Sequence, residues 1–165
     1  MLSIVGNVFW LVSSFLVPLF YLIFGIIFFP LLPFLWPIIK FSFLPFGREL
    51  VKQSYLAGFE GGTFSEQDFA TKNFEDAGST IRFLANVIWP VIGIFMAMFH
   101  VICIFFCLLW CFTIVGIFFA IPNILAHIRM IPIVFRPFGR TIISSAVAKR
   151  LQDIKTEADL KKITG

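Results

Sequence analysis

The sequence predicts an all-α integral membrane protein with two repeated transmembrane helical hairpins that have short or broken return arms, plus short cytoplasmic helices. The chain is 59% hydrophobic and only 13% charged, whereas a soluble globular domain carries about 25% charged residues. Charged side chains are absent from residues 1–39 and again from 83–128. One short motif closes both apolar parts of the chain. Because a domain of this length cannot bury so much apolar surface in a soluble core, lipid is its expected solvent.

Both uncharged runs exceed the roughly 20 apolar residues that span a bilayer core. The N-terminal run has no basic start and no small-residue cleavage site, so we interpret it as mature membrane structure and not as a signal peptide. All three cysteines lie inside the second run, which argues against a disulfide framework.

The closing motif is Pro-Phe-Gly-Arg, which occurs at 45–48 and again at 137–140. A proline, Pro30 or Pro122, stands fifteen residues before each copy, and each half begins with Asn-Val-x-Trp. Internal repetition is common in membrane proteins. The repeat divides the chain into a first membrane hairpin, a polar cytoplasmic connecting segment, a second membrane hairpin and a cytoplasmic C-terminal helical tail, at 1–47, 48–82, 83–140 and 141–165.

In the first hairpin, residues 8–29 would be about 33 Å long as a helix, enough to cross the bilayer. A turn is expected at Pro30. The stretch 30–43 would be only about 21 Å long as a helix, and it contains Pro33 and Pro37, which interrupt backbone hydrogen bonding. We therefore expect a short or broken return arm that is buried against protein.

In the second hairpin, Pro90 suits the first turn of a helix, and the uncharged run that follows is too long for one crossing. Turns are expected at Gly116, near Thr113, and at Pro122. The return arm is then expected over 122–135.

Each copy of the motif is expected to end a return arm. Pro45 and Pro137 stop a preceding helix from continuing unchanged. Gly47 and Gly139 permit a sharp exit, because glycine accepts positive φ.

The residues expected to anchor the protein at the lipid interface are aromatic or basic: Trp10, Trp89, Arg48, Arg136 and Arg140. For Arg48 and Arg140 a second interpretation stays open, in which the guanidinium binds a lipid phosphate or closes an ion pair between subunits.

The polar parts of the chain contain further helix signals. Thr63-x-x-Glu66 fits a capping box and predicts a short helix over 64–76, and Thr156-x-x-Asp159 predicts another. Apolar residues of the tail also have helical spacing, namely Ile143, Val147, Leu151 and Ile154. These helices serve self-association or a protein partner, or else they lie as amphipathic helices on the membrane surface.

Four side chains of the second run, His100, Cys103, Cys107 and Cys111, fall on one helical stripe. Such ligands suit zinc or copper(I), but one helix cannot surround a tetrahedral ion, so a metal would need several stripes in an oligomer. The simpler interpretation treats the cysteines as small apolar residues at a helix contact, and no metal or other cofactor is predicted. A histidine deep in an uncharged span is a candidate functional group, so the stripe is a candidate pore or gate, although His100 can equally stay neutral and bond to a carbonyl. His127 is expected at the interface.

Basic residues flank the apolar runs, and the ones nearest to them are Lys40, Arg48, Arg129, Arg136 and Arg140. Because basic residues beside membrane spans mark the cytoplasmic face, we expect these residues and both chain termini to be cytoplasmic. The hairpin turns then face the other side.

This layout resembles the YccF family of bacterial inner-membrane proteins. The resemblance rests on the two Asn-x-x-Trp starts, the stretch 114–117 (Ile-Val-Gly-Ile), Pro122 and the two closing motifs. It covers both halves, but neither 48–82 nor the tail. The resemblance implies a multi-pass protein of the bacterial inner (cytoplasmic) membrane and supplies no catalytic residues.

The sequence contains no catalytic constellation, no phosphate-binding glycine loop and no zinc signature. An enzyme is therefore not predicted, and neither is nucleic-acid binding. The first functional hypothesis is a homo-oligomer that conducts ions or small solutes through a pore between subunits, since two hairpins are too small to enclose one. The alternative is a non-conducting scaffold or accessory subunit of another membrane complex. A transporter ranks third, because coupling sites normally contain buried charge.

Overall fold

The computed structural model describes residues 2–60, 63–64 and 77–164, which are mostly helical. The described helices are α1 (Leu2–Ser14), α2 (Leu16–Ile27), α3 (Leu32–Phe43), α4 (Gln53–Ala57), α5 (Ala77–Ile88), α6 (Pro90–Trp110), α7 (Ile114–Val134) and α8 (Ser145–Thr164). The described strands are β1 (Arg48–Lys52), β2 (Phe59–Glu60), β3 (Thr63–Phe64) and β4 (Arg140–Ser144). Most of the helix predicted over 64–76 lies outside the described residues.

Helices α6 and α7 are each long and apolar enough to cross a membrane. Each has 21 residues, about 32 Å of helix, against a hydrocarbon core of about 30 Å. The expectation of apolar helices of membrane-spanning length is therefore confirmed for this half of the chain. Their outward residues are exposed and apolar throughout, as lipid-facing positions would be.

The first half does not contain one straight crossing helix over 8–29, so that expectation is wrong. Helices α1 and α2 meet at Phe15 with a bend of 74°. The bend follows from Pro18, which has no N–H to donate to the carbonyl of Ser14. A 3₁₀ turn that contains Pro30 then leads into α3, which keeps Pro37 inside the helix.

The turn of the second half lies at Cys111–Thr113. Thr113 caps α7, because its Oγ1 accepts a 3.0 Å hydrogen bond from the amide of Gly116. Gly116 itself lies in the first turn of α7, where a Cβ would overlap the carbonyl oxygen of Trp110 and the Thr113 hydroxyl. The turn predicted at Pro122 is wrong: this proline lies inside α7, within a helix that continues to Val134.

A two-stranded antiparallel sheet joins the two halves, and each of its strands begins at the arginine of one copy of the motif. Strand β1 pairs with β4, so that Arg48 faces Ser144 and Lys52 faces Arg140. Residues 141–165 are not helical throughout, as was expected for a helical tail, because 141–144 belong to β4. The expected all-α fold therefore lacks this sheet. Helix α8 then runs to Thr164 without the new start expected at Thr156.

Helix α7 packs against both α6 and α1. Helix α2 packs on α3. Residues of α1, α2, α3, α6 and α7 contribute to one hydrophobic core, which encloses the polar side chains described next.

Candidate functional site

Two histidines are buried side by side between α6 and α7. Nδ1 of His100 lies 2.7 Å from Nδ1 of His127, and Nε2 of His100 lies 2.6 Å from the hydroxyl oxygen of Tyr21. The exposed fractions are 0% for His100, 1% for His127 and 4% for Tyr21. Two neutral imidazoles satisfy such a contact when one nitrogen donates and the other accepts. His127, expected at the interface, is therefore a core residue.

Helix packing explains why the histidines meet. The buried face of α6 has helical spacing and carries small residues among large ones: Gly93, Met96, Ala97 and His100. A Cβ on Gly93 would lie 2.8 Å from the carbonyl oxygen of Val134, so glycine permits a close approach of the two backbones. That approach brings His100 within hydrogen-bonding distance of His127.

Aromatic rings surround the pair. The indole of Trp10 meets the His127 ring edge-on, with centroids 5.2 Å apart. The Tyr21 ring stacks on the His100 ring, with centroids 5.8 Å apart. Within the described residues, the hydrogen-bonded chain ends at Tyr21 on one side and at His127 on the other. It therefore links α2, α6 and α7 within the interior of the protein.

A second polar cluster lies one helical turn along α7 from His127. The amide of Asn123, which is 1% exposed, donates to the hydroxyl of Ser13 and to the carbonyl of Phe119 at 2.6 Å. Its oxygen accepts from the hydroxyl of Ser14. This cluster joins the end of α1 to the middle of α7, at the point where the chain bends into α2.

The cysteines of the predicted stripe do not join the histidine contacts. Cys103 and Cys107 of α6 and Cys111 directly after it are free and half-buried, beyond His100 on the same side of the helix. In the described part of the chain, no group of three or more His, Cys, Asp or Glu side chains is arranged to hold a metal ion. The stripe is continuous, but the hydrogen-bonded contacts belong to its histidine alone.

The start of each half bonds to its closing motif through the same pair of contacts. The side chain of Asn7 donates to the carbonyl of Phe46 at 3.1 Å and accepts from its amide at 3.0 Å. Asn86 does the same with Phe138, at 3.2 and 3.3 Å. Gly47 and Gly139, which follow these phenylalanines, have φ values of +77° and +74°, a conformation that L side chains rarely adopt.

The two tryptophans that begin the halves are also bound to the end of the following arm. Nε1 of Trp10 donates to the carbonyl of Ser42 at 2.7 Å, and Nε1 of Trp89 donates to that of Val134 at 2.8 Å. The rings are 0% and 4% exposed. The expectation that they anchor the protein at the lipid interface is therefore wrong, because each ring is buried inside the protein and stabilises it there.

The arginines of this end of the molecule differ in their contacts. Arg129 donates from Nη2 to Glu49 at 2.6 Å and to the carbonyl of Arg48 at 2.6 Å. Arg140 donates from Nε to the carbonyl of Arg136 at 2.6 Å and from Nη1 to that of Leu50 at 3.1 Å. Partial burial, and secondarily the charge of Arg136, lower the pKa of Arg140. Arg140 thus holds β1 against β4 and lies next to a second guanidinium.

Several of these residues have no distinctive signal in the sequence. Tyr21 and Asn123 are isolated polar residues in apolar stretches. Any buried polar residue has this appearance in a sequence, so it does not single out a site. Glu49 is the acid directly after the first motif, but only the fold brings Arg129 to it.

No known protein family, curated protein sequence or solved structure matches the chain.

Proposed function

We propose that this chain is a multi-pass membrane protein that acts as a non-conducting scaffold or accessory subunit of a membrane complex. The observation that carries the proposal is the direction of the polar groups in the membrane helices. Those described above point inward and bind one another, as Asn123 does with Ser13 and Ser14, and His100 with His127. Buried polar groups that are fully paired specify one helix arrangement.

The outer surface of the membrane helices supports the same function. Its large exposed side chains are apolar, including Phe95, Phe105 and Phe118, which are 69%, 59% and 64% exposed. A water-filled path between subunits would need polar groups on such a face, or an apolar constriction that gates by dewetting. Lipid or an apolar partner suits this surface better than water.

The β1–β4 sheet and α8 form a polar unit at one end of the membrane helices. A scaffold could bind its partner through this unit. The β1–β4 sheet comes from both halves, and α8 packs on β1, β3 and β4. Near its end, α8 exposes Leu160 by 56% and Ile163 by 81%, which lie on one side of the helix at i, i+3 spacing. We propose that this unit binds the partner.

We further propose that this unit faces the cytoplasm of a bacterial inner membrane, with both chain ends on that side. Arg129, Arg136 and Arg140 lie at the end of α7 or just beyond it, where the positive-inside rule applies. The contact of Asn7 with Phe46 keeps the start of α1 at the same end. Helix α8 follows β4 there directly.

The asparagine and tryptophan contacts that recur in both halves support a duplicated hairpin unit. Such a duplication is also the basis of the resemblance to the YccF family. In both halves an asparagine bridges the phenylalanine of the motif, and a tryptophan three residues later binds the carbonyl three residues before the motif proline. The Pro18 bend breaks the first arm of the first copy, whereas both helices of the second copy are long and apolar enough to cross a membrane.

A pore between subunits is the alternative, and the half-buried stripe of Cys103, Cys107 and Cys111 is the feature in its favour. Single-channel recording of the purified protein in planar bilayers separates the two functions. A scaffold leaves the bilayer silent at protein densities where a known channel, reconstituted in parallel, conducts. Reproducible conductance that changes with Cys107→Ser would establish the pore instead.

Site-specific photocrosslinking in cells tests the partner surface. A crosslinker at Ile163 is expected to give one discrete adduct with another membrane or cytoplasmic protein. The matched control carries the crosslinker at Phe118, in the exposed apolar surface of α7. Adducts that are only multiples of the 18.8 kDa chain would favour self-association over an accessory role.

A further inference from the structure

We propose that Lys52, Arg136 and Arg140 form a binding site for the head group of an anionic phospholipid. These three residues are called the basic corner below. They lie where α7 leaves the membrane region and the chain turns into β4. An anionic phospholipid would thus be a ligand of this chain, whether the protein is a scaffold or a pore.

The strand register brings two of the cations together. Lys52 and Arg140 are Cα partners in the antiparallel β1–β4 pair, and directly opposed residues project from the same face of a sheet. Like charges in this position repel and destabilise the pair unless an anion lies between them. The chain nevertheless ends β1 and begins β4 on these two residues.

Arg140 connects this pair to the third cation. Its Nε donates to the carbonyl of Arg136 at 2.6 Å, and its Nη1 donates to the carbonyl of Leu50 at 3.1 Å. The guanidinium is therefore fixed in place beside Arg136, whose charge contributes to lowering the pKa of Arg140. A preorganised guanidinium is well suited to a phosphate, because its planar donors match two phosphate oxygens.

No acidic side chain neutralises the basic corner within the described residues. The nearest carboxylate along β1 is that of Glu49, and it projects from the opposite face of the sheet because side chains alternate along a strand. Glu49 is also engaged by Arg129 at 2.6 Å and by the hydroxyl of Ser145 at 3.3 Å. Lys52 and Arg136 are exposed and form no ion pair in the described structure.

Position identifies the anion as a lipid. Arg136 stands two residues after the last residue of α7, Val134, and between them Phe135 is only partly buried. A helix long enough to cross the membrane ends at the depth of the head groups, where basic residues meet anionic lipid phosphates. A phosphodiester at that depth can accept from Arg136, from the remaining donors of Arg140 and from Lys52 together.

The test is a titration of detergent-purified protein with dioctanoyl phosphatidylglycerol, followed by microscale thermophoresis. Phosphatidylglycerol is expected to bind more tightly than dioctanoyl phosphatidylcholine. The double variant Lys52→Gln/Arg136→Gln is expected to weaken phosphatidylglycerol binding by roughly 25-fold, at about five-fold per charge removed. Its matched control, Arg150→Gln/Lys161→Gln, removes the same two charge types from α8 and should bind as the unaltered protein does.

Two further titrations, one with inorganic phosphate and one at raised salt concentration, test whether the ligand is a lipid and whether its binding is electrostatic. Inorganic phosphate titrated in place of the lipid distinguishes a free anion from a head group, and binding as tight as that of phosphatidylglycerol would overturn the lipid assignment. Raising the salt concentration from about 0.05 to about 0.5 M should weaken lipid binding to the unaltered protein, because screening shortens the range of the attraction. Equal affinity of the Lys52/Arg136 variant and its control, or equal affinity for both lipids, would refute the basic corner as the site.

Discussion

Nδ1 of His100 contacts Nδ1 of His127 at 2.7 Å across the interface of α6 and α7, which makes two buried imidazoles partners of each other. Each ring would otherwise need a partner of its own in an apolar environment, and an unpaired buried polar group is costly. The contact therefore fixes how far α6 is displaced along α7. It also fixes α2, because the other nitrogen of His100 binds Tyr21.

The costs of replacing the two histidines should not add: the double variant should lose less unfolding free energy than the sum of the two single variants. His100→Phe leaves Tyr21 and His127 without their partner, and His127→Phe leaves one nitrogen of His100 unpaired, so each should cost about 1–3 kcal/mol of unfolding free energy. The double variant should cost less than the sum, by at least about 0.5 kcal/mol. Unfolding in mixed micelles with increasing sodium dodecyl sulfate measures all three, and strictly additive costs would contradict the contact.

The two motif glycines should tolerate asparagine but not a β-branched side chain. Gly139 has φ +74°, so Gly139→Val should lose about 1–2 kcal/mol. Gly139→Asn should lose clearly less, because asparagine adopts positive φ more readily than other residues that carry a side chain. Gly47 has the same conformation, with φ +77°, but a Cβ there would also lie 3.0 Å from the Cβ of Ser3, so both variants should cost more at Gly47 than at Gly139. Comparable thermal stability of the valine and asparagine variants would show that positive φ is not what requires glycine here.

The asparagines that begin each half should be equally important to stability. Asn7→Leu leaves both the amide and the carbonyl of Phe46 without their partner, at an expected cost of about 1–3 kcal/mol. Asn7→Asp keeps the acceptor and removes the donor, so it should fall between leucine and the unaltered residue. Asn86→Leu should match Asn7→Leu in thermal unfolding. A large loss in one half and none in the other would contradict equivalent roles.

The ion pair of Arg129 with Glu49 should contribute little, whereas Arg129 itself should contribute more. The side chains are 28% and 43% exposed, and exposed pairs are worth about 0.2–1 kcal/mol. Glu49→Gln should therefore lower the unfolding free energy by less than about 1 kcal/mol. Arg129→Ala should cost more, since it also removes the donor to the carbonyl of Arg48. Equal losses would mean that the backbone contact contributes nothing.

The parts of the fold that could be predicted are those set by composition. Two helices long and apolar enough to cross a membrane follow from the second uncharged run, because length and apolarity are local properties. Strand β4 was missed because Ile143 fits a helical spacing, although Thr141, Ile142 and Ile143 together are β-branched and favour a strand. Pairing with β1 decided between the two.

The candidate site depended on a feature that the sequence left ambiguous, namely the position of the turn. A turn centred on Gly116 would bring His100 opposite Pro132 in an antiparallel hairpin. The actual turn at Cys111–Thr113 brings His100 opposite Ile124, within one helical turn of His127, whose ring it contacts. A hairpin register is set by its turn, so small errors there change every contact across the interface.

The pairing of β1 with β4 also orders events during synthesis. Asn7 and Trp10 find their partners within the first half, but Lys52 pairs with Arg140, which is made 88 positions later. At roughly 5–20 residues per second, β1 leaves the ribosome about 4 to 18 s before its partner strand does. During that interval the nascent chain displays an unpaired strand edge at the membrane surface, which is the kind of edge that invites pairing with another chain. Newly made copies therefore pass through a stage in which both edges of β1 lack a partner strand, whereas the finished two-stranded sheet leaves only one edge of β1 without one.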